Sequence, residues 1–185
     1  GVREDVELVD TGYETVQRLL AGEVDAAGGV FGDAIDARYQ DATVDSLSVA
    51  AEVPSYGHVL ATAPSFADEN PEAVEAFLQG TARGAAWATN NPEQGVDALV
   101  EANESISEVR EQARETWETL ANDHIVGPAV EDNGWGWHQS EPWTTVADAL
   151  ESADSGEVAP TEEAWTNEYL DTEYEYIGSY TDQLS

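Results

Sequence analysis

Apolar positions along the chain come first in short runs and later at helical spacing. Val6 to Val9 reads as a short strand, followed by a Thr11-Gly12 turn. Val16, Leu19 and Leu20 then fall at helical spacing, and Gly22 closes that helix. Asp25 to Val30, mostly small residues, predicts a buried strand leading into a loop, and a second helix is expected over Asp33 to Tyr39. Strand, helix, strand, helix is the order of a parallel α/β sheet. Leu47 to Val53 and Val59 to Ala63 are two further extended segments, turned through Pro54-Ser55-Tyr56-Gly57-His58.

From residue 70 onward the period is helical. Asn70-Pro71-Glu72 is a start signal, with Asn as N-cap and Pro at the first helical position. Val74, Phe77, Leu78, Thr81 and Ala85 form one face of that helix. Asn91-Pro92-Glu93 repeats the signal ahead of Val96, Leu99 and Val100. Ser107 to Leu120 predicts an amphipathic helix with Val109, Ala113, Trp117 and Leu120 on one side. His124 to Trp143, rich in Gly and Pro, reads as a loop, and Thr144 to Leu150 as a helix. Thr161 caps a last expected helix reaching Tyr169 or Leu170. Ser152 to Pro160 is the one plausible soft linker, and the tail after Leu170 carries no assignment.

Length and composition fit this outline. With 185 residues, 41% of them apolar, a packed interior is within reach. No run approaches the roughly 18 apolar residues of a membrane span, and no basic-plus-apolar leader opens the chain. The chain has no Met, so residue 1 is not an initiator and a processed or trimmed amino terminus is expected.

Charge changes the picture most. Thirty-nine Asp and Glu face six basic residues, for a formal net charge of -33, and all six are Arg. The acids are spread between apolar positions, unlike an acidic tail or a disordered chain. Self-repulsion of this size loosens a compact fold in dilute buffer. At 1 M salt the Debye length falls to about 3 Å and the repulsion is largely screened, so a salt-adapted surface is expected. A phosphate backbone needs a basic footprint, which excludes nucleic acid as an expected partner. The absence of Cys removes disulfides, thiolate metal sites and Cys nucleophiles.

Several stretches, taken in order, resemble one family. Leu19-Leu20-Ala21-Gly22-Glu23-Val24-Asp25-Ala26-Ala27 is similar to a signature of type II periplasmic binding proteins. Pro54-Ser55-Tyr56-Gly57 with Val59-Leu60-Ala61-Thr62 resembles their return strands. Phe66 to Leu78, then Trp87-Ala88 and Asn91-Pro92-Glu93, continues the likeness, which is strongest to the NMT1/THI5-like branch. The resemblance spans most of residues 5 to 170. It implies an α/β fold, part of a type II periplasmic-binding-protein-like structure, with a helix-rich carboxyl-terminal half. Residues 1–45 are then expected to form the carboxyl-terminal part of lobe two. Residues 46–185 supply the return strands and the carboxyl-terminal helical part of lobe one.

The same resemblance implies the solute-binding component of an ABC importer. Such a protein holds a small heteroaromatic or anionic solute, such as a thiamine pyrimidine precursor, and presents it to a permease subunit. A monomer is expected, extracytoplasmic, either secreted or held at the cell surface by an anchor outside this chain, with no cofactor and no catalysis. The alternative is a cytoplasmic enzyme or ligand-sensing regulator on the same fold. The fungal pyrimidine synthases resembling the chain in fold depend on a cysteine-rich motif, and this chain has no Cys.

Sites in this family lie at loops near strand ends, as in open α/β sheets generally. The candidates are the turn Gly12-Tyr13-Glu14; Phe31 and Asp33 on a glycine-flanked loop; Tyr56 and His58 at the crossing between lobes; and Trp135 and Trp137, spaced by glycine. Aromatic rings there can stack on a flat heterocycle, and Asp33 can accept from an amino group. The structural alternatives are an ordinary turn, a helix cap for Asp33, a structural histidine, and tryptophans closing a core edge. Three scattered histidines (His58, His124, His138) do not make a metal spacing. There is no Walker-type phosphate loop and no HExxH motif.

Overall fold

A computed structural model describes residues 5–51, 53, 55–153 and 163–185. Nine α-helices occur among these residues: α1 (Thr15–Leu20), α2 (Phe31–Tyr39), α3 (Pro64–Glu69), α4 (Pro71–Asn90), α5 (Pro92–Ala102), α6 (Arg110–Leu120), α7 (Pro128–Asn133), α8 (Ser140–Ser152) and α9 (Glu175–Gly178). A 3-10 turn at Glu104–Val109 leads into α6, a π-helical turn at Ala121–Ile125 leaves it, and Tyr180–Gln183 forms a closing 3-10 turn. α4 is the longest element. It packs on α3, α5, α9 and the closing turn, while α6 joins α5 to α2, and α2 carries α1.

The two Asn-Pro-Glu signals do start helices, with Pro71 and Pro92 each at the first turn. Their asparagines act differently from the expectation. Neither side chain caps the helix that follows. Asn70 Nδ2 donates to the carbonyl of Phe66 at 3.1 Å, and Asn91 Nδ2 donates to that of Trp87 at 2.9 Å. Each amide therefore adds a second bond to a carbonyl in the last turn of the preceding helix, which already accepts the backbone N–H of the same asparagine, while proline rigidifies the start of the next. The repeated motif is a corner between consecutive helices.

The buried apolar residues are small on α4 (Ala82, Ala86) and larger where other elements reach it, notably Val96, Ile177 and Tyr180. Two arginines pin α5 and α6. Arg110 donates to Glu93 at 3.1 Å and Asp97 at 2.6 Å, and Arg114 reaches Glu93 at 3.3 Å while gripping Glu118 of its own helix at 2.7 Å. Arg38 pairs with Glu115, tying α2 to α6 and holding the Glu115 carboxyl below the usual carboxylate range. Water reaches all of these pairs, so each adds little to stability and is weakened by salt.

Four predicted strands are absent among the described residues. Val6 to Val9, Asp25 to Val30, Leu47 to Val53 and Val59 to Ala63 show no strand pairing, and Val49–Ala51 turns as a 3-10 helix. The expected burial of Asp25 to Val30 fails as well, since these residues are largely exposed. A strand is defined by a neighbour. An unpaired extended segment leaves its N–H and C=O groups to water and gains no cross-strand packing. The helix-rich carboxyl-terminal half is as expected.

Other boundaries differ. α2 begins at Phe31, two residues early, because Asp33 Oδ2 accepts the Val30 N–H at 2.8 Å from inside the first turn. The loop expected from His124 to Trp143 contains α7 and the start of α8. Its prolines lie within first turns, where a missing N–H costs nothing. The expected helix from Thr161 is not formed over residues 163–170, and Thr161 itself lies outside the described residues, as does most of the expected linker, residues 154–160.

Candidate functional site

The tail without a sequence assignment supplies the two largest fully buried side chains, Ile177 and Tyr180. It stays in place because other elements meet its backbone. Trp135 N–H donates to the Ile177 carbonyl at 2.8 Å. Asn90 donates to the Gln183 carbonyl at 2.6 Å and accepts from Ser185 N–H at 2.8 Å. Gly134, at φ +102°, lets the two backbones meet, since a Cβ there would lie 2.4 Å from the Ile177 oxygen. Trp135 is thereby committed to the tail, its ring 6.4 Å from that of Tyr180.

The other expected residues fall in separate places. Gly12, Tyr13 and Glu14 are exposed, and Glu14 faces Arg18 at 3.6 Å. Phe31 stacks on His124 at 4.6 Å, joining the start of α2 to the π-helical turn. Asp33 is occupied by the Val30 amide. A side chain at Gly29 would displace the Asp33 carboxylate from its place on the Val30 amide. His58 is exposed, and Trp137 is partly buried.

Tyr56 alone among them enters a cluster of convergent aromatic groups. Its ring lies 4.5 Å from His138 and 5.9 Å from Trp143. His138 is stacked with Trp143 at 5.5 Å and with Trp165 at 6.0 Å. Asn167 builds this arrangement across a separation of 29 residues, accepting the His138 N–H and donating to the His138 carbonyl, both at 2.9 Å. That side chain occupies both backbone groups as a paired strand would.

The hydrogen-bond pattern sets which protons remain available. Trp143 Nε1–H can only donate, and it donates to His138 Nδ1 at 3.0 Å. The His138 proton therefore sits on Nε2. Burial pushes the imidazole pKa below its ordinary value, so the neutral ring is the form present near pH 7. The Tyr56 oxygen accepts the Gln139 N–H at 2.7 Å, which leaves the phenol proton free to donate. Trp165 Nε1–H is buried with no acceptor among the described residues. The cluster thus offers aromatic faces and two donors, His138 Nε2–H and the Tyr56 hydroxyl, complementary to a flat ring bearing acceptor nitrogens.

Sequence reasoning found Tyr56 and missed the rest. It noted His138 only as a scattered histidine and read Trp143 as core. Trp165 and Asn167 carry no local signal, because their roles exist only against His138. Among the described residues no group of acidic or histidine side chains is placed to hold a metal, and no helix is long and apolar enough to cross a membrane.

A family model described as NMT1/THI5-like matches residues 1–95. The chain is also similar to a formylaminopyrimidine-binding protein of Halalkalibacterium halodurans, at 26% identity over 164 residues, covering 82% of this chain and 48% of that protein. The chain spans about half the length of this curated relative. No solved structure matches it.

Proposed function

Because the chain belongs to the NMT1/THI5-like family, we propose that it is part of the solute-binding component of an ABC importer, and that its solute is a pyrimidine precursor. The observation that carries the solute class is the donor-rich aromatic cluster. A pyrimidine ring nitrogen accepts from His138 Nε2–H or the Tyr56 hydroxyl, while the ring lies on an outer face of Tyr56 or Trp143, both partly exposed. The rings already touch one another, so the solute stacks against the cluster from outside. The similarity to a formylaminopyrimidine-binding protein supports the same solute class. Action by binding, with closure of lobes as the message to a permease, needs no cofactor. An extracytoplasmic location belongs with this role.

Calorimetric titration of the full-length protein with a formylaminopyrimidine in molar KCl tests this reading. Saturable binding at micromolar or tighter affinity is expected, weakened at least about tenfold by Tyr56→Ala, the loss of a stacking and hydrogen-bonding group. No heat with any pyrimidine would overturn it.

We propose further that the acidic surface is adapted to high salt. The net charge of -33 predicts a melting temperature that rises from dilute buffer to molar KCl, as screening removes self-repulsion. A melting temperature flat or falling with salt sinks the idea.

A further inference from the structure

α4 presents Gly80, Arg83, Gly84 and Trp87 to a cavity of about 430 Å³, with Tyr176 also lining it. That volume is within the range of small-molecule sites, about 300–1,000 Å³. It is an open groove, with Gly80, Arg83, Gly84 and Trp87 all exposed, and three features equip it for a ligand. The first is its floor. A Cβ added to Gly80 or Gly84 would meet nothing within 4 Å, so no neighbour forbids a side chain at either position. Glycine in a helix interior is unfavourable relative to alanine. These two, one turn apart, leave open space where side chains would otherwise stand. The second is the wall: the Trp87 indole is 46% exposed.

The third is charge. In a chain with 39 acidic residues, Arg18, Arg38, Arg110 and Arg114 each hold a carboxylate. Among the described residues Arg83 has no carboxylate within 4 Å. Its guanidinium instead sits 6.0 Å over the Tyr176 ring. Such a stack orients a guanidinium while leaving its edge N–H donors available for a planar anion.

We propose that this cavity is a second ligand site, distinct from the Tyr56 cluster, which binds a small aromatic carboxylate. The ring lies on Trp87 and the carboxylate accepts from Arg83. A carboxylate matches the fork of donors with a single negative charge, and a net charge of -33 disfavours the second charge that a phosphate monoester would bring. The indole selects a ring over an aliphatic chain. None of Tyr56, His138, Trp143 and Trp165 lines the cavity.

The probe is 4-fluorobenzoate, followed by fluorine NMR in molar KCl on the full chain, with 4-fluorobenzamide as its neutral counterpart. Saturable line broadening by the benzoate is expected, with the benzamide at least about tenfold weaker, as is usual when a charge-assisted hydrogen bond is lost. Arg83→Gln should weaken the benzoate by a similar factor. Gly84→Leu fills the floor and favours the helix, so it should abolish broadening while leaving the helical circular dichroism intact. An excess of formylaminopyrimidine should leave the benzoate in place. The proposal is overturned by absence of saturable broadening, by equal binding of acid and amide, by benzoate binding unchanged in Arg83→Gln or Gly84→Leu, or by displacement with the pyrimidine.

Discussion

Residues 43–63, as far as they are described, hold one 3-10 turn, and residues 171–185 hold only the short α9 and the closing 3-10 turn; both carry aliphatic and aromatic side chains, yet they end in opposite environments. Leu47 is 97% exposed, and Val49, Val59 and Leu60 are also open to water. Ile177 and Tyr180 are the largest fully buried side chains of the described structure. Hydrophobicity does not separate the two segments. What separates them is whether other elements take up their backbone polar groups. The tail's backbone is met by Trp135 on Ile177 and by Asn90 on both Gln183 and Ser185. The earlier segment receives one long-range hydrogen bond from the described residues, Gln139 N–H to the Tyr56 hydroxyl, and that bond reaches a side chain. Irregular backbone enters a core only where its N–H and C=O groups find partners. The apolar residues follow the backbone, and where it stays in water they stay exposed with it.

The largest test of this contrast removes equivalent aliphatic groups from the two regions. Ile177→Ala should cost about 2–5 kcal/mol, the range for truncating a buried aliphatic side chain, read as a lower urea midpoint. Leu47→Ala should stay within about 0.5 kcal/mol of the parent, as surface substitutions do. Similar losses at both positions would mean that residues 43–63 are packed in solution.

A smaller effect follows from Asn90→Ala. It strips a donor from the Gln183 carbonyl and an acceptor from Ser185 N–H, and should cost about 1–3 kcal/mol. Hydrogen exchange should quicken in the tail before it does in α5 and α6. If exchange there is unaltered, side-chain packing alone holds the tail and the distinction drawn above loses its basis.

The smallest effect concerns the cluster around Tyr56, whose hydroxyl carries the one long-range hydrogen bond of residues 43–63 among the described residues. Burial lowers the pKa of folded His138 below its unfolded value of about 6.5. Between those two values the unfolded chain binds more protons, so stability rises with pH there and is lost as pH falls below about 6.5. Protonation also turns Nδ1 into a donor and breaks the bond from Trp143. Comparing parent with His138→Gln in melts from pH 7.5 to 5 should show this slope in the parent only. The window lies above that of carboxylates such as Glu115, which titrate from about 4.3 downward. Equal slopes would show that His138 is not buried as a neutral ring.

Local signals located the longer helices but not α7 or α9, and the helix expected from Thr161 is not formed over residues 163–170. Proline at the starts of α4 and α5, and the apolar period along them, depend on backbone geometry a few residues long. α3 was passed over, although Pro64 marks its first turn, because it is short and carries little periodicity. The aromatic cluster was legible only through Tyr56. Its other members lie more than 80 residues beyond Tyr56 and are drawn together because Asn167 clasps His138.

By itself the sequence determined the charge, the helix starts at Pro71 and Pro92, and the family signature within residues 1–95. These are properties of composition and of neighbours along the chain. The tertiary structure alone decided that the expected strands stand unpaired, that the tail is core, and that Tyr56 rather than Trp135 stands among convergent donors. Pairing, burial and convergence are relations between segments distant along the chain, and no local spacing encodes whether the distant partner is in place.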